Sequence, residues 1–590
     1  MNKNVSSSRV VAPLMFKLLP IQILLALIGS INAVISSLFA SNIIGSEAMT
    51  VAGFFGPVSM LLGALSVMLV GGSQILCGKY MGRNLVEKMQ NVFSLDLAVS
   101  FIIGALFTGF FLLTSAFDLN RFLIRDPDMR SLFNRYALGQ AIGMLPTVLS
   151  AQLAAFLSLE NRTRRTTIAS VVCIIVNVIT TWLFVSVLRM GVFGLSLASS
   201  LSAWIFLLVE AQYFVSGKST LRFSFRHMQW RDIGEILRIG LPGALGNGYQ
   251  TLRGIIVNHL LVVHVGSVGV SAFATANTLL GFFWAIPTGM LAVSRMMFSI
   301  SIGEEDRQTL TDTMRTAMYR YLPLMCAVVA AIVASAVPLT RLYYRNVSDP
   351  VYEMTMWGFR ILPLCMPFSL ICMHFTCFGQ VSGKQVLVHT LAVLDGVACV
   401  AGFTALLIRG MGMNSVYAAN VLNGVVTTLV IVGYAVIMKK KFPRNMEELM
   451  VIPDDFGAGE EDRISLSPRS MEDVVRISKA VQDFCLEKGI DGYRAYIAGL
   501  SMEEMAGNVF EHGFPKDSKK HFVDVRVVYR DNSLTLRIRD NCRAFDPATR
   551  RSIAEPDDPA KNIGIRMVYD TASHVSYQSE LGLNVLTIMI

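Results

Sequence analysis

Three groups of polar residues near the carboxyl end have types and spacings that could serve one chemical task. Glu504 and Asn508 are four positions apart in a helical pattern, so they share one helix face, and their hard oxygens suit Mg²⁺. Asp540 ends an alternating segment just before a turn, where a carboxylate can accept a hydrogen bond from an exocyclic amine. Gly564 opens a further helical segment, whose free backbone N–H groups favour phosphate. Each group alone is a common surface pattern, so the inference depends on their order along the chain.

These residues need a folded unit to position them. Helical periodicity covers 470–489 and 493–513, and Ala498, Met502, Met505 and Val509 form an apolar stripe on the second helix. Period-two alternation covers 522–529, 533–540, 574–578 and 584–590. The pattern predicts a cytoplasmic α/β sandwich over 464–590, with helices on one face of a mixed sheet.

Most of the chain is too apolar for a soluble protein. Its 590 residues are 53% hydrophobic and 16% charged, with a mean hydropathy of +0.53, whereas soluble domains carry roughly a quarter charged residues. This excludes a soluble or disordered chain. The net charge of +9 is expected at membrane surfaces, so we expect no nucleic-acid partner. The nine cysteines lack metal-ligand spacing.

Twelve apolar stretches are long enough to cross a bilayer, which predicts a polytopic α-helical membrane protein with twelve transmembrane helices. They cover 18–46, 48–78, 97–117, 136–159, 166–188, 190–209, 239–265, 265–294, 321–340, 361–383, 385–408 and 411–438. Lys and Arg concentrate in alternate connecting segments, which predicts that both termini are cytoplasmic. The expected location is the inner or plasma membrane, in contact with lipid.

The twelve apolar stretches form two copies of a unit of six stretches. Gly45-Ser46 recurs 221 positions later as Gly266-Ser267, as does Pro146 as Pro367. An even number of spans in each copy makes the two copies parallel, with a cleft between two six-helix lobes where a transporter holds its substrate. The predicted domains are an N-lobe over 1–218, a C-lobe over 219–440, a linker over 441–463 and the α/β unit over 464–590.

Several of these repeated residues resemble the multidrug and toxic compound extrusion (MATE) exporters. The resemblance covers about residues 10–440 and includes a Leu-Pro early in each half, the Gly-Ser pairs, Gly82 and Gly303 after the second span of each half, and Asn177. It implies two lobes around a V-shaped cavity. It also implies export of drugs or organic cations, driven by an inward H⁺ or Na⁺ gradient.

The acidic residues that many members of that family carry are missing. Aligned through Gly45, they fall on Ser36, Thr181 and near Gln250, and the tenth span has no acid. The remaining ionisable candidates are Asp96 at the start of the third span, Arg253 and His259 in the seventh, His374 in the tenth and Asp395 in the eleventh. Because an ionisable group in hydrocarbon is costly, each is a functional hypothesis.

Asp395 is the strongest of these candidates, because it lies between apolar neighbours far from either interface. It either binds the coupling ion or is a structural carboxylate paired with Arg253 or a buried amide. Arg253 and His259 either have structural roles or contact an anionic substrate. Amides such as Asn177 and Gln250 are either interhelical hydrogen-bond partners or substrate contacts.

The ordered polar motifs of the carboxyl-terminal segment resemble the ATP-binding fold of gyrase and histidine kinases. They are E-x-x-x-N, D-x-x-x-x-F, N-I-G-I-R-x-V and G-x-N-V-L, and they are most similar to anti-sigma-factor serine/threonine kinases. The resemblance implies bound ATP and Mg²⁺. The implied roles are Asn508 for Mg²⁺, Glu504 as the catalytic or water-orienting carboxylate, Asp540 for the adenine amine, Phe545 in the base pocket, and Asn562 and Gly564 for phosphates. Cys542 stands where that family usually has glycine.

Two functions follow from these patterns. The first is a MATE-type efflux transporter, coupled to an ion gradient by antiport, whose cytoplasmic module binds ATP and regulates it or links it to a STAS-like or other partner-switching protein. The alternative is a receptor-like signalling protein whose tail phosphorylates a serine on a small cytosolic partner. The sequence leaves open whether ATP is hydrolysed or only bound.

Overall fold

The fold is taken from a computed structural model. It describes residues 8–39, 43–44, 46–83, 85–122, 127–160, 162–217, 219–226, 228–342, 344, 347–459, 461–514, 521–530, 532–548, 563–580 and 583–590.

Six long helices form the first helix group. They are α1 (Ser8–Phe39), α2 (Ser46–Gly82), α3 (Val86–Ala116), α4 (Pro127–Leu159), α5 (Thr163–Thr181) and α6 (Gly191–Val215). Helix α4 packs against α3 and α6, and α5 packs against α6. The helices extend beyond the apolar stretches, because only the part inside hydrocarbon must be apolar.

Eleven helices form the second helix group. They are α7 (Ile233–His264), α8 (Ser267–Phe283), α9 (Ala285–Gly303), α10 (Arg307–Thr316), α11 (Leu322–Ala334), α12 (Ala336–Arg341), α13 (Pro350–Ile361), α14 (Met366–Ser382), α15 (Gln385–Val393), α16 (Cys399–Met411) and α17 (Asn414–Lys439). Several are segments of one longer helix: the π-helical turn Leu394–Ala398, for example, joins α15 to α16.

Ten helical stretches in the described residues are long and apolar enough to cross a membrane. Two further apolar stretches, Val11–Leu27 in α1 and Val268–Phe283, are shorter. Helix α7 is not among the ten, and Asn247, Gln250 and Arg253 interrupt its apolar run. The chain is therefore a multi-pass membrane protein, while the predicted count of twelve is not confirmed.

The two helix groups touch where α2 meets α7 and α9 and where α1 meets α9 and α10. Gly240 of α7 packs so closely on α2 that a Cβ there would overlap the carbonyl oxygen of Met68, and Gly303 packs in the same way on Lys79. Helices α2 and α9 end at Gly82 and Gly303. These ends lie on the same side of the membrane region as the end of α17, from which the chain continues into the carboxyl-terminal domain. We call this the tail side.

The carboxyl-terminal domain is a five-stranded sheet with helices on one face. Its elements are α18 (Met446–Leu449), β1 (Arg463–Leu466), α19 (Met471–Glu487), α20 (Gly492–Asn508), β2 (Val523–Arg530), β3 (Ser533–Asp540), α21 (Ile563–Thr571), β4 (His574–Glu580) and β5 (Leu583–Met589). The strand order is β1-β2-β3-β5-β4, and every pair is antiparallel. The predicted mixed sheet is therefore wrong, because alternation within a strand does not define the direction of its neighbour.

The core of this domain lies between the sheet and its helices. Val525, Leu536 and Ile588 from three strands join one buried cluster with residues of α19, α20 and α21. The predicted apolar stripe of α20 is buried: Ala498 and Met502 are 0% exposed and Met505 is 2% exposed. The stripe fixes the rotation of α20, so Glu504 and Asn508 lie toward its other side.

The segment between α17 and β1 packs against the membrane helices. Arg307 Nε donates to the Glu447 carboxylate at 2.8 Å, and Lys384 Nζ donates to the Val451 carbonyl oxygen at 2.9 Å. Met450 and Ile452 are buried. A segment whose composition is typical of a linker thus holds the carboxyl-terminal domain close to the tail side.

Candidate functional site

Helix α20 presents Glu504 and Asn508 one turn apart, and both side chains are half-buried. Asn508 Nδ2 donates to the backbone carbonyl oxygen of Glu504 at 2.8 Å, which leaves the amide oxygen for another partner. Gly564, the second residue of α21, lies against Glu504 so closely that a Cβ would overlap its carboxylate. The fold therefore brings the predicted carboxylate to the predicted phosphate-binding helix start, and glycine permits the close approach.

Asp540 ends β3 and is 5% exposed. Its Oδ1 accepts hydrogen bonds from Asn584 Nδ2 at 2.7 Å and from the backbone N–H of Cys542 at 2.9 Å. Burial raises the pKa of Asp540, and these hydrogen bonds oppose that shift only in part. Asn584 lies opposite Asp540 in β5, and the sequence analysis gave it no role. Asn584 could have been noticed, because the strand is apolar apart from this amide and Thr587.

A small cavity of about 20 Å³ adjoins Asp540. Phe545 and Tyr577 line it, together with Met505 of α20 and Val509 of the π-helical turn that follows α20. The Phe545 backbone N–H donates to the Tyr577 hydroxyl at 3.0 Å, and burial is the main cause that raises the pKa of Tyr577 to about 12. The cavity has room for one or two water molecules. A purine therefore needs the segment after β3 to move outward.

Cys542 lies in that segment, beside the π-helical turn that follows α20. The N–H of the next residue, Arg543, donates to the Gly513 carbonyl oxygen at 2.8 Å. A Cβ on Gly513 would lie 3.4 Å from the Cys542 Cβ, an ordinary contact. The cysteine thus packs beside Gly513, at a place where the resemblance implies a glycine.

The described residues thus form the two ends of one site. Helix α20 lines the Asp540 cavity with Met505 and touches the start of α21 with Glu504. Asn562 lies outside the described residues. Among the residues that are described, no cluster of three or more His, Cys, Asp or Glu side chains could hold a metal ion. Any Mg²⁺ would therefore take most of its oxygen ligands from a nucleotide and water.

In the membrane helices, Asp395 lies in the π-helical turn between α15 and α16. Asn423 Nδ2 of α17 donates to its Oδ1 at 2.8 Å, whereas Arg253 Nη1 donates to its backbone carbonyl oxygen at 3.3 Å. Of the two predicted structural partners, the amide pairs with the carboxylate. The guanidinium holds the backbone of the turn.

The other predicted residues of α7 and α14 differ in exposure. His259 and Gln250 are exposed on α7, and Arg253 is half-buried. His374 is 0% exposed, with Nε2 3.0 Å from Ser294 Oγ and Nδ1 2.8 Å from the Leu370 carbonyl oxygen. Both ring nitrogens of His374 therefore have partners inside the helix packing.

Asn177 pairs within its own helix. Thr181 Oγ1 donates to Asn177 Oδ1 at 2.9 Å, and both side chains are buried. Thr181 stands at one of the positions where the related family carries an acid, so a local hydroxyl–amide pair replaces the charge. Ser36 lies in α1, and its side chain is outside the described part of the structure.

Two buried carboxylates were underestimated from the sequence. Asp96 and Glu210 are both 0% exposed, although the apolar runs placed them near helix ends. Helix α3 begins at Val86, so Asp96 lies about three turns inside it, where Ser73 Oγ donates to its Oδ1 at 2.6 Å. A charged residue just outside an apolar run can therefore still be inside the helix bundle.

Comparison with known proteins agrees with this two-part architecture. The family model MatE matches residues 20–183 and 242–400, one segment in each half of the membrane region, and the model for a histidine kinase-like ATPase domain matches residues 467–590. The chain belongs to the MATE family and carries a carboxyl-terminal histidine kinase-like ATPase domain.

Individual relatives support the fold. The chain is similar to the probable multidrug resistance protein NorM of Xanthomonas axonopodis pv. citri (strain 306), 30% identical over 125 residues, which are 20% of this chain and 27% of that protein. The chain thus matches about a quarter of the length of this curated relative. A crystal structure of MATE in complex with MaL6 matches with a TM-score of 0.67 at 20% identity, covering 72% of this chain and 97% of that one.

A second structure is similar over the same region. It is a MOP superfamily transporter from Pyrococcus furiosus, whose binding pocket is described as having reverse polarity that suggests a different function. It matches with a TM-score of 0.65 at 20% identity, over 73% of this chain and 98% of that chain. At 20% identity, the likeness to these two structures shows the fold alone.

Proposed function

We propose that the protein is a MATE-type efflux transporter for small organic compounds, coupled by antiport to an H⁺ or Na⁺ gradient and regulated through ATP bound to its carboxyl-terminal domain. The observation that carries the proposal is the match of the MatE model to both halves of the membrane region. The multidrug relative supports drug-like substrates.

Asp395 is the proposed coupling residue. It lies in a π-helical turn, a feature often found at functional sites, and its carboxylate has a neutral partner, Asn423. A carboxylate without a paired cation can bind an ion and release it, whereas a tight ion pair with Arg253 would hold it charged.

The substrate class follows from the helix surfaces. The exposed His259 and the half-buried Arg253 lie on α7, and the transporter with reverse pocket polarity is a structural relative. We therefore extend the proposed substrates from drugs and organic cations to small organic anions, which these two side chains would attract.

The carboxyl-terminal residues fit a Mg²⁺-nucleotide. Asp540 offers a buried acceptor beside a cavity, Asn508 offers an amide oxygen, and Gly564 leaves room at a helix start. Asp540 would hold the base amine, with Phe545 beside the ring, while Asn508 would hold the metal. Gly564, with Asn562, would donate backbone N–H groups to phosphate. Bound ATP would supply a transferable phosphoryl group.

Phosphoryl transfer to a protein serine is a second proposed activity of the same domain. Glu504 supports it, because this half-buried carboxylate touches the start of α21, where phosphate would lie. A carboxylate there can accept the proton of an attacking hydroxyl. The acceptor would be a small cytosolic partner-switching protein of STAS-like type.

We also propose that the tail side is cytoplasmic, in the inner or plasma membrane. The domain limits remain the predicted ones: an N-lobe over 1–218, a C-lobe over 219–440, a connecting segment over 441–463 and the ATPase-like domain over 464–590. ATP is then available to the domain from the cytosol.

Transport in proteoliposomes tests the proposal. Purified protein is reconstituted, and uptake of a fluorescent organic cation and an organic anion is followed with and without an imposed H⁺ or Na⁺ gradient. Gradient-dependent movement of either probe is expected. Probes that move no faster than in empty liposomes, under both gradients, would contradict the transporter assignment.

A further inference from the structure

The sheet of the carboxyl-terminal domain has a second face that is also buried. In β2, Val525 and Val527 point to the helices, so Arg526 points the other way. In β3, Leu536 and Ile538 point to the helices and Arg539 to the second face. Arg526 and Arg539 are 5% and 6% exposed. Long cationic side chains so deeply buried need acidic partners close by.

Arg526 Nε donates to Asp524 of its own strand at 3.1 Å, and the other acidic partners lie in the loop Gly303–Arg307 between α9 and α10, which we call the acidic loop. Arg526 Nη1 donates to the Asp306 carboxylate and, at 2.9 Å, to Thr309 Oγ1. Arg539 Nη2 donates to Glu304 and, at 2.9 Å, to Asp306.

The edge of this contact is formed by two further arginines. Arg530 Nη1 lies 2.7 Å from Glu305 Oε2, and Arg537 Nη1 lies 3.6 Å from Glu304 Oε2. Four arginines on adjacent strands therefore engage three consecutive acids of the second helix group.

The burial of these groups shows that the ion pairs at the centre of the contact are shielded from solvent, while a cavity of about 330 Å³ lies beside them between the acidic loop and the sheet. The side chains of Glu304, Asp306, Arg526 and Arg539 are each 6–7% exposed. Burial alone would raise the pKa of Asp306, but the guanidinium groups of Arg526, Arg539 and Arg537 outweigh it and hold that pKa well below the usual carboxyl range. Asp306 is therefore charged at neutral pH, and a buried charge of this kind is screened little by salt.

The same face of the sheet also reaches the first helix group. Leu583 and Val585 of β5 belong to one buried cluster with Val11 and Leu14 of α1, and the four residues line a shared cavity of about 40 Å³. At the end of α2, Arg83 lies 3.8 Å from Glu305, a more exposed and weaker pair. The domain thus contacts both helix groups at once.

We propose that the carboxyl-terminal domain is a lock on the tail side of the transporter. The arginine face of its sheet, seated on the acidic loop and against α1, holds the two helix groups together, and it must move before they can separate on this side. The inference rests on the proposed transport function, because a transporter must open toward each side in turn.

The position of the acidic loop explains how docking would act on the helices. The loop begins at Gly303, which packs on Lys79 of α2, so it starts at the contact between the two helix groups. Helix α1 packs on α5 of its own group and on α9 and α10 of the second group, so a separation of the first helix group from α9 and α10 would move Val11 and Leu14 relative to Glu304 and Asp306. The sheet, which is rigid and bound to both, would have to release one of them.

The test uses the full chain in lipid nanodiscs and a reporter at the junction. Ser299 of α9 is 0% exposed and lies against Gly78 of α2, so the rate at which a Ser299→Cys thiol reacts with a maleimide reports separation of the helix groups. Mass spectrometry of the labelled peptide distinguishes it from the native cysteines. The docking variant is Glu304→Gln with Asp306→Asn. Asn keeps the α10 N-cap, in which Asp306 accepts from the Thr309 N–H.

The variant is expected to raise the labelling rate at least about tenfold, within the usual range of coupling between sites. Hydrogen exchange in β2 and β3 is expected to rise in the same sample, because loss of the packing on this face lowers the free energy needed for local opening of the two strands. The matched control is Arg469→Gln with Arg476→Gln, two exposed arginines at the start of and within α19, away from the acidic loop. It should leave both readouts unchanged.

Two results would overturn the lock. Hydrogen exchange that stays unchanged in the loop variant would mean that the ion pairs do not hold the domain, and increased exchange with unchanged labelling would mean that docking does not hold the helix groups. Arg539→Gln repeats the comparison from the other side of the interface, in case the loop variant misfolds. Neither readout needs a transported substrate. A failure of the proposed lock can therefore be distinguished from a failure of the transport proposal.

Discussion

Arg539 of β3 and Asp306 of the acidic loop are separated by 233 positions in sequence and joined by a hydrogen bond of 2.9 Å. The next residue of the strand, Asp540, points to the opposite face, where it meets Asn584 beside the small cavity. A single strand therefore carries the contact with the transporter on one face and the candidate nucleotide contact on the other. A movement of β3 that begins at one face of the sheet would therefore also displace the residues on its other face.

Asp395→Asn should uncouple transport from the ion gradient. The amide retains an oxygen that can accept from Asn423 Nδ2, so folding should be preserved, while the group can no longer bind a proton or cation. In proteoliposomes, probe movement should lose its dependence on the imposed gradient. Asp96→Asn, at a buried carboxylate paired with Ser73, is the control. Full gradient-driven transport by the Asp395 variant would show that this carboxylate is structural.

Asn508→Ala should abolish the Mg²⁺-dependent part of ATP affinity in the full chain, because it removes the amide oxygen proposed to face the metal. Loss of a contact at a metal site typically costs roughly 10- to 100-fold in affinity, so the Kd measured with Mg²⁺ should rise by about that factor. Calorimetry with and without Mg²⁺ measures this. An unchanged Kd would remove Asn508 from the site.

Glu504→Ala should spare ATP binding and remove phosphoryl transfer or hydrolysis. The reason is that a base acts on the reacting oxygen and not on the bound ground state. The neighbouring Glu503→Ala is a matched control, because Glu503 is also half-buried and has no proposed role. Radiolabelled ATP turnover is the measurement. Turnover that persists in Glu504→Ala at the unmodified rate would contradict the assigned role.

Asp540→Asn should keep the domain folded and weaken ATP binding, since the amide can still accept from Asn584 but loses the charge that favours an amine donor. The raised pKa of Asp540 also predicts a pH effect. The unfolded carboxyl loses its proton first, so stability falls as pH rises from the ordinary carboxyl pKa through the folded value. Denaturant unfolding at several pH values should show this slope in the unmodified protein and lose it in the variant.

Docking of the carboxyl-terminal domain should be insensitive to pH across the neutral range. The pKa of docked Asp306 is depressed, so the contribution of this carboxylate is present above the ordinary carboxyl pKa and is lost only in acid, as pH falls toward the docked value. Hydrogen exchange in β2 and β3, corrected for intrinsic rates, should be constant from about pH 8 to about pH 5. Release of the carboxyl-terminal domain near pH 6 would show that a titrating group other than Asp306 controls docking.

The sequence predicted much of this fold because the local patterns were strong. The alternating residues 533–540 coincide with β3, and the apolar stripe from Ala498 to Val509 is the buried face of α20. The four-residue strand β1 was missed, since it is too short for alternation to be seen. Nothing in the local pattern indicates that Arg526 and Arg539 are buried, because arginines alternating with apolar residues also describe a solvent-facing sheet. Their burial is explained by the distant acidic loop, together with Asp524 beside Arg526.

The most direct test of the account is transport measured with nucleotide confined to the tail side. Proteoliposomes are oriented or sealed so that Mg²⁺-ATP reaches the carboxyl-terminal domain, and gradient-driven probe movement is compared with and without it, in the unmodified protein and in Asp540→Asn. If bound ATP regulates transport, the gradient-driven rate changes with Mg²⁺-ATP in the unmodified protein and does not change in Asp540→Asn. A rate that is the same with and without Mg²⁺-ATP in the unmodified protein would contradict regulation by ATP.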